Sequence, residues 1–419
     1  MISMISVNIL KSNGIGCLSR LCKISKSHNV TQVAFIKRLS LKVERAKPTK
    51  VYPYWRKGYT VRSLISDPLV YKYDESSKLI VVDGLPAIGK TKFCEKLAEE
   101  FGLLYMPPPT HDQIYINCYG YDFRELDSKL PSNAQSYDLK RFLKNPNHPQ
   151  VPQFQLFYML MRFEQYINAI IHILATGQGV ILNRSIYSDV SFTDAMYNAG
   201  YLNKVVIQNF EIMKQHSLHN LLRPHLVIYF DALPDAVQKN IKKRGNMDEV
   251  NSKVFTTKYL SDMDKAYKEK SLTWLSKHTH ILMYDWSTEG NYLDVFSDIE
   301  NLDLQEDPEK NMLSDWIFEN IDHVHSYMLK YQNKVNMLAH MMLPKPKMVF
   351  CEELWMNAYD NEKYSDLLDT IECEKYLPEY HPAYGDKVLF KSINSFKYSA
   401  CRRTPRDLIN YSEAKLPHY

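Results

Sequence analysis

A chain of 419 residues with 45% apolar side chains has room for one large α/β domain with extensions, or for two ordinary domains, and a core is assured. The net charge of +4 is uneven: residues 1–43 hold seven Lys or Arg and no acid, which leaves the remainder at −3 and gives no support to a nucleic-acid partner. No run approaches the ~18 uninterrupted apolar residues of a spanning helix, and seven cysteines without C-x-x-C or zinc-finger spacing point to free thiols in a reducing compartment.

The basic, serine-rich and acid-free residues 1–43 have the composition of a mitochondrial transit segment. A tyrosine-rich, irregular arm is expected over 44–78. The core begins with the strand-like run Leu79-Ile80-Val81-Val82-Asp83, which leads into Gly84-Leu85-Pro86-Ala87-Ile88-Gly89-Lys90-Thr91. That octet completes the G-x-x-x-x-G-K-[ST] phosphate loop, in which backbone N–H groups and a helix N-terminus cradle phosphates. Gly84, Gly89, Lys90 and Thr91 are its candidate binding residues. The helix that must follow is legible from Lys90 to Phe101, with Gly102 as its stop.

Leu103-Leu104-Tyr105 reads as a second strand and the polar residues 110–151 as a long loop with little helix. Gln153 to Thr176 predicts a helix buried on most faces, since apolar residues recur almost all round it. Gly179–Leu182, His225–Phe230 and Ile281–Tyr284 are continuous apolar runs of the kind buried in parallel sheets. Helices are expected over Pro234–Arg244 and Phe255–Lys277. The alternation predicts a doubly wound, five-stranded parallel sheet over residues 79–303, with its ligand crevice at the strands' C-terminal ends. An extension follows over 304–419, opened by an amphipathic helix from about Met312 to Met342.

Four landmarks follow the loop in order: Phe154-Gln155, Asn183-Arg184-Ser185-Ile186-Tyr187-Ser188-Asp189, Leu233-Pro234-Asp235, and Lys242-Lys243-Arg244. This series resembles the deoxynucleoside kinases. The resemblance implies that Gln155 meets the base, that Arg184 and Asp189 lie near phosphates and base, that Asp235 meets the sugar, and that Lys242, Lys243 and Arg244 form a basic lid. On residue chemistry alone each has a structural alternative. Arg184 suits an ion pair, Asp189 a helix cap, Gln155 a self-satisfied interior, and the basic trio a helix C-terminus. Glu75–Gly84, Ala175–Val180, Ala195–Asn198 and Pro224–Tyr229 are similar to one branch, the kinase-like accessory subunits of mitochondrial complex I, and this likeness runs from about residue 74 to 305.

The acids decide what the loop does. Nucleoside phosphorylation needs a general base and a held metal ion. The stretch Tyr105-Met106-Pro107-Pro108-Pro109-Thr110 holds no acid before Asp112, and the acid of the kinase [DE]-R-S motif is Asn183, which cannot balance a dication. Losing a general base alone removes about 10²–10⁴ in rate. The leading expectation is therefore a non-catalytic accessory subunit on the matrix face of the inner membrane, with other complex I subunits as partners. A (deoxy)nucleotide is its expected ligand, flavin enters by family association alone, and no metal site is expected. The alternative is an active mitochondrial deoxynucleoside kinase with Asp112 as a substitute base. The pairs His216/His219, His278/His280 and His323/His325 read as solvated histidines rather than metal ligands.

Overall fold

The computed structural model describes residues 4–6, 54, 73, 75–116, 122–304, 312–332, 337–338 and 351–370. Nearly all of the leader-like segment, most of the arm and everything after residue 370 lie outside the described residues.

The central strand β2 (Leu79–Gly84) is buried at all six positions, as a continuous apolar run must be when covered on both faces. It pairs in parallel with β4 (Val180–Asn183) on one side and β5 (Leu226–Asp231) on the other, with Ile80 opposite both Ile181 and Leu226. Beyond these lie β3 (Leu104–Met106) and β6 (His280–Asp285), which complete the expected five parallel strands. Strands β3, β4 and β5 each begin and end one residue later than their apolar runs suggest. A sixth strand was not foreseen: β1 (Met4–Ser6), antiparallel on the edge of β6, gives the order β1-β6-β5-β2-β4-β3. It falls within the leader-like residues, so a chain that has lost its leader keeps the five parallel strands.

Helix α1 (Lys90–Phe101) buries Phe93, Cys94, Leu97 and Ala98 on the sheet and ends at Gly102, whose left-handed backbone donates its N–H to Ala98 O. Helix α2 (Val151–Thr176) has Pro152 in its first turn and Gly177 as its C-cap. At 26 residues it spans about 39 Å and is buried almost all round. The arm touches it where described: the Tyr54 hydroxyl bonds His172 Nδ1 at 2.8 Å and the Tyr73 hydroxyl donates to Leu174 O at 2.7 Å. Helices α3 (Asp189–Asn198) and α4 (Lys204–Ser217) follow β4, the latter capped by Asn203, which accepts from the Val206 N–H at 2.9 Å. After β5 comes α5 (Pro234–Arg244) and then α6 (Thr257–Ala266). The single helix expected over 255–277 runs without a gap from Thr257 to Leu275, widened by a π turn at Tyr267–Leu272 before one last turn at Thr273–Leu275. The described part of residues 110–151 holds little helix, as expected: short turns at Asp112–Tyr115, Phe123–Lys129 and Leu139–Lys144.

Beyond α7 (Tyr292–Glu300), the extension crosses the N-terminal ends of the strands, the end opposite the phosphate loop. Its helix α8 is Ile321–Gln332, with a 3₁₀ turn at Ser314–Trp316 before it, so the helix expected from about Met312 starts later, and residues 333–336 and 339–342 lie outside the described residues. Asp315 accepts from the Arg223 backbone N–H at 2.9 Å and from its guanidinium Nε at 2.5 Å and Nη2. The Trp316 indole donates to Arg223 O at 2.7 Å, and its ring lies 4.3 Å from that of His225. His225 in turn accepts the Leu79 N–H on Nδ1 at 3.0 Å, so the extension is anchored at the roots of β2 and β5. Helix α9 (Ala358–Asp369) lays Tyr364, Leu367 and Leu368 against Leu126, Leu130 and Ala134. Cys94 and Cys351 are buried free thiols, and the other five cysteines lie outside the described residues.

The bidentate Arg223–Asp315 pair makes a clear prediction. Asp315→Ala should lower stability by about 2 kcal/mol, the scale of hydrogen bonds to a charged, half-buried group. A urea midpoint unchanged from that of the parent would contradict the anchoring role.

Candidate phosphate-binding site

β2 delivers the loop. Gly84 has φ +137°, and a Cβ there would stand 2.6 Å from Phe230 O, so only glycine lets β5 approach so closely. Ala87 takes φ +57°, a left-handed conformation that costs a residue with a Cβ about 1–2 kcal/mol. Gly89, at φ +84°, opens α1. Lys90 is buried, and its Nζ donates to Gly84 O at 3.0 Å and to Leu85 O. Burial holds its pKa well below the usual lysine range, with the Arg184 charge acting in the same sense.

Thr91 and Asn183 meet, as the kinase pattern requires of the hydroxyl and the acid. Here the contact is a hydrogen bond of 3.2 Å from Asn183 Nδ2 to Thr91 Oγ1. Tyr105, on β3, stands beside both, its hydroxyl pushed up to about 12 by burial. The donor set about Thr91 is thus a hydroxyl, a neutral amide and a phenol. It does not fit a magnesium ion, which requires anionic oxygen.

Behind the loop lies a buried charge cluster. The Arg162 Nη1 pairs with Asp189 Oδ1, with both side chains in the interior. Burial, together with Arg184, lowers Arg162 to about 10. Arg184 has φ +71° just after β4, where its N–H donates to Val82 O at 3.0 Å. The guanidinium carbons of Arg162 and Arg184 lie 5.0 Å and 4.5 Å from the centre of the Phe192 ring. Asp83, the last residue but one of β2, is 1% exposed. Burial raises its pKa to about 6, and the Ser188 hydroxyl and the charges of Arg184, Lys90 and Arg162 partly offset the rise. Three cations (Lys90, Arg162, Arg184) therefore face two acids, one of them titrating near 6. The surplus is positive, which suits a polyanion.

The structure brings together Gly84, Gly89, Lys90, Thr91, Arg184 and Asp189. Asp189 opens α3 without capping it and pairs with Arg162 instead. Gln155 lies seven residues before Arg162 on the same face of α2, 3% exposed, and its Nε2 has no hydrogen-bond partner among the described residues. Asp235 stands exposed in the first turn of α5, where an acid complements the helix's positive end, and it is no part of the buried cluster. Lys242, Lys243 and Arg244 form the exposed last turn of α5; Arg244 pairs with Glu249 at 3.0 Å and adds its charge to those acting on Lys90. Asp112, the substitute base of the kinase alternative, is exposed and tied to Arg124 Nη1 at 2.7 Å.

Sequence reasoning missed Asp83, Tyr105, His111 and Arg162. The clearest signal was Arg162 itself, a charge in an apolar helix, two turns from Gln155 on one face. Asp83 had a weaker one, an acid ending a buried strand.

A parallel α/β sheet whose central strand ends in a phosphate-loop sequence, with the buried Arg162 and the half-buried Arg184 behind it, is the fold of the P-loop kinases. Comparison with known proteins narrows this. The deoxynucleoside kinase family model matches residues 80–316, more than half of the chain, and the chain belongs to that family. Within it the chain is similar to NADH dehydrogenase (ubiquinone) 1 alpha subcomplex subunit 10, mitochondrial. The rat protein is 31% identical over 331 residues, covering 78% of this chain and 88% of the relative. The bovine protein is 30% identical over 329 residues, covering 78% and 90%. A deoxyguanosine kinase of Dictyostelium discoideum is 25% identical over 230 residues, covering 55% of this chain and 71% of that one.

Asp83 carries the pH prediction. Its carboxyl titrates near 3.8 unfolded and about 6 folded, so the unfolded state gives up its proton first as pH rises. Stability should then fall between about pH 4 and 6 and stay lower above, by at most about 3 kcal/mol from this group. Asp83→Asn should remove that part of the fall and be the more stable protein at pH 7. Parallel stability profiles for the two proteins would refute the burial account.

Proposed function

We propose that this chain is a non-catalytic accessory subunit of mitochondrial respiratory complex I that retains a nucleotide at Gly84–Thr91. The observation that carries the reading is the Asn183–Thr91 hydrogen bond, in a chain alignable along most of its length with subunit 10 proteins. It puts a neutral amide where phosphoryl transfer needs a carboxylate holding a metal ion. No acid precedes Asp112 after β3, and Asp112 is engaged by Arg124.

Binding does not need what catalysis has lost. Backbone N–H groups at the start of α1, Lys90, Arg184 and the positive surplus behind the loop all favour a polyphosphate. Phosphate displaces nothing covalent: Lys90 only exchanges two backbone carbonyl acceptors for anionic ones. The basic, acid-free residues 1–43 support mitochondrial import, and the subunit's place is the matrix face of the inner membrane, peripheral to it. Among the described residues no helix is long and apolar enough to cross a membrane. The aromatic-rich extension, which clamps Arg223 at the strand ends opposite the loop, supports contact with neighbouring subunits.

Two measurements check this. The chain should co-migrate with the respiratory complex on a native gel; recovery solely as a free monomer would refute the subunit assignment. Nucleotide released from the purified native protein should approach one per chain and fall at least tenfold in Lys90→Ala. Equal nucleotide content in both proteins would refute binding at the loop.

A further inference from the structure

One buried side chain after the edge strand has no part in the reading above. His111 follows β3, and its imidazole lies parallel to the Phe154 ring, 4.8 Å away at an interplanar angle of 2°. Its edge contact to Tyr158 is 4.4 Å between ring centres at 89°. The residue is 4% exposed, and neither ring nitrogen has a hydrogen-bond partner among the described residues. Burial keeps the ring neutral, with its pKa lowered to about 4. A buried heterocycle with two unpaired nitrogens is unusual, because such groups are ordinarily satisfied. An apolar ring would fill the same space without that cost.

The wall that His111 covers has a fixed relation to the phosphate loop. Arg162 faces Asp83 at the root of the loop. Gln155 precedes it by seven residues on the same helix face, about 10 Å along the axis. That separation from Arg162 is on the scale of a sugar and a base. A flat nitrogen heterocycle carried on a phosphate at the loop meets Phe154, Tyr158 and the unpartnered Gln155 Nε2, and Phe154 is where the imidazole now stacks.

The turn bearing His111 is pinned from outside. Asp112 pairs with Arg124 Nη1 at 2.7 Å, and Arg124 is itself held by Asp122 through Nη2 at 2.6 Å. Asp112 and Arg124 are 55% and 30% exposed, so this is a surface contact that can open without disturbing the core.

We propose that His111 is a resident plug of the base end of the site, stacked on Phe154 in a nucleobase's place, with Arg124–Asp112 as the latch on its turn. Only the phosphate end of this proposal rests on the nucleotide reading above. The plug makes the two halves of a nucleotide unequal ligands. Polyphosphate reaches the loop freely, whereas a nucleoside must first displace the imidazole.

Calorimetry on the full chain freed of bound nucleotide, with two kinds of probe, tripolyphosphate and the four deoxynucleosides, tests it. His111→Ala should bind at least one deoxynucleoside tenfold or more tightly than the parent, with tripolyphosphate affinity unchanged, while His111→Phe, which restores the stack, should behave as the parent. Should His111→Ala not fold, Arg124→Ala serves, and a threefold or greater gain in deoxynucleoside affinity is expected. Unchanged or weaker deoxynucleoside binding in the folded variant overturns the plug. Absence of tripolyphosphate binding in parent and variants alike would instead overturn the phosphate-loop reading.

Discussion

The fold and the site depend on one constraint: β2 is held in parallel register on both sides and buried at every residue. An interior strand of this kind cannot shift without exposing its whole apolar run, so whatever it carries at its C-terminal end is placed with the precision of the core. It carries Asp83 and the phosphate loop. At its root, Leu79 donates to His225, and through Trp316 and Arg223 the extension closes over the same strand's start. The two ends of β2 thus differ: the phosphate-loop sequence leaves one, and the extension's clamp on Arg223 closes over the other.

The electrostatics behind the loop explain how binding and catalysis come apart. A kinase site needs its positive charge balanced in a way that lets a metal ion and a base act on the reacting oxygens. In this chain the acids sit deeper. Asp189 is spent on Arg162, Asp83 is buried among cations, and Asn183 turns an N–H toward Thr91. The loop keeps its donors and its lysine, which are what phosphate binding uses, whereas the carboxylates nearest the phosphate position are missing or neutralised. The family relationship and the chemistry of the site therefore point in different directions, and the site residues decide which one describes the activity.

Much of this was legible in the sequence because it rests on local pattern. The loop octet, the run before it and the 3.6-residue periodicity after it define β2 and α1 with no knowledge of tertiary structure. The neutral Asn183 was readable because it falls within a motif of fixed spacing. What escaped was non-local or masked by composition. Arg162 pairs with a residue 27 positions away, and a reading that marked α2 as apolar had no means to find that partner. Helix α4 was overlooked although Asn203, followed by Val206, Phe210 and Met213, is an ordinary cap-and-face signature. The π turn after Ala266 brings the buried Tyr267 toward Asp83 and Arg184, a tertiary demand with no sequence marker. The extension's helix began late because Leu313–Trp316 is recruited to clamp Arg223.

The central claim is that the loop binds and does not transfer. Its most direct test is to incubate the native protein with γ-labelled ATP and each deoxynucleoside in the presence of magnesium, and to follow the label. The account predicts no labelled deoxynucleoside monophosphate above the level given by Lys90→Ala. Label transferred to any deoxynucleoside by the parent and lost in Lys90→Ala would contradict it.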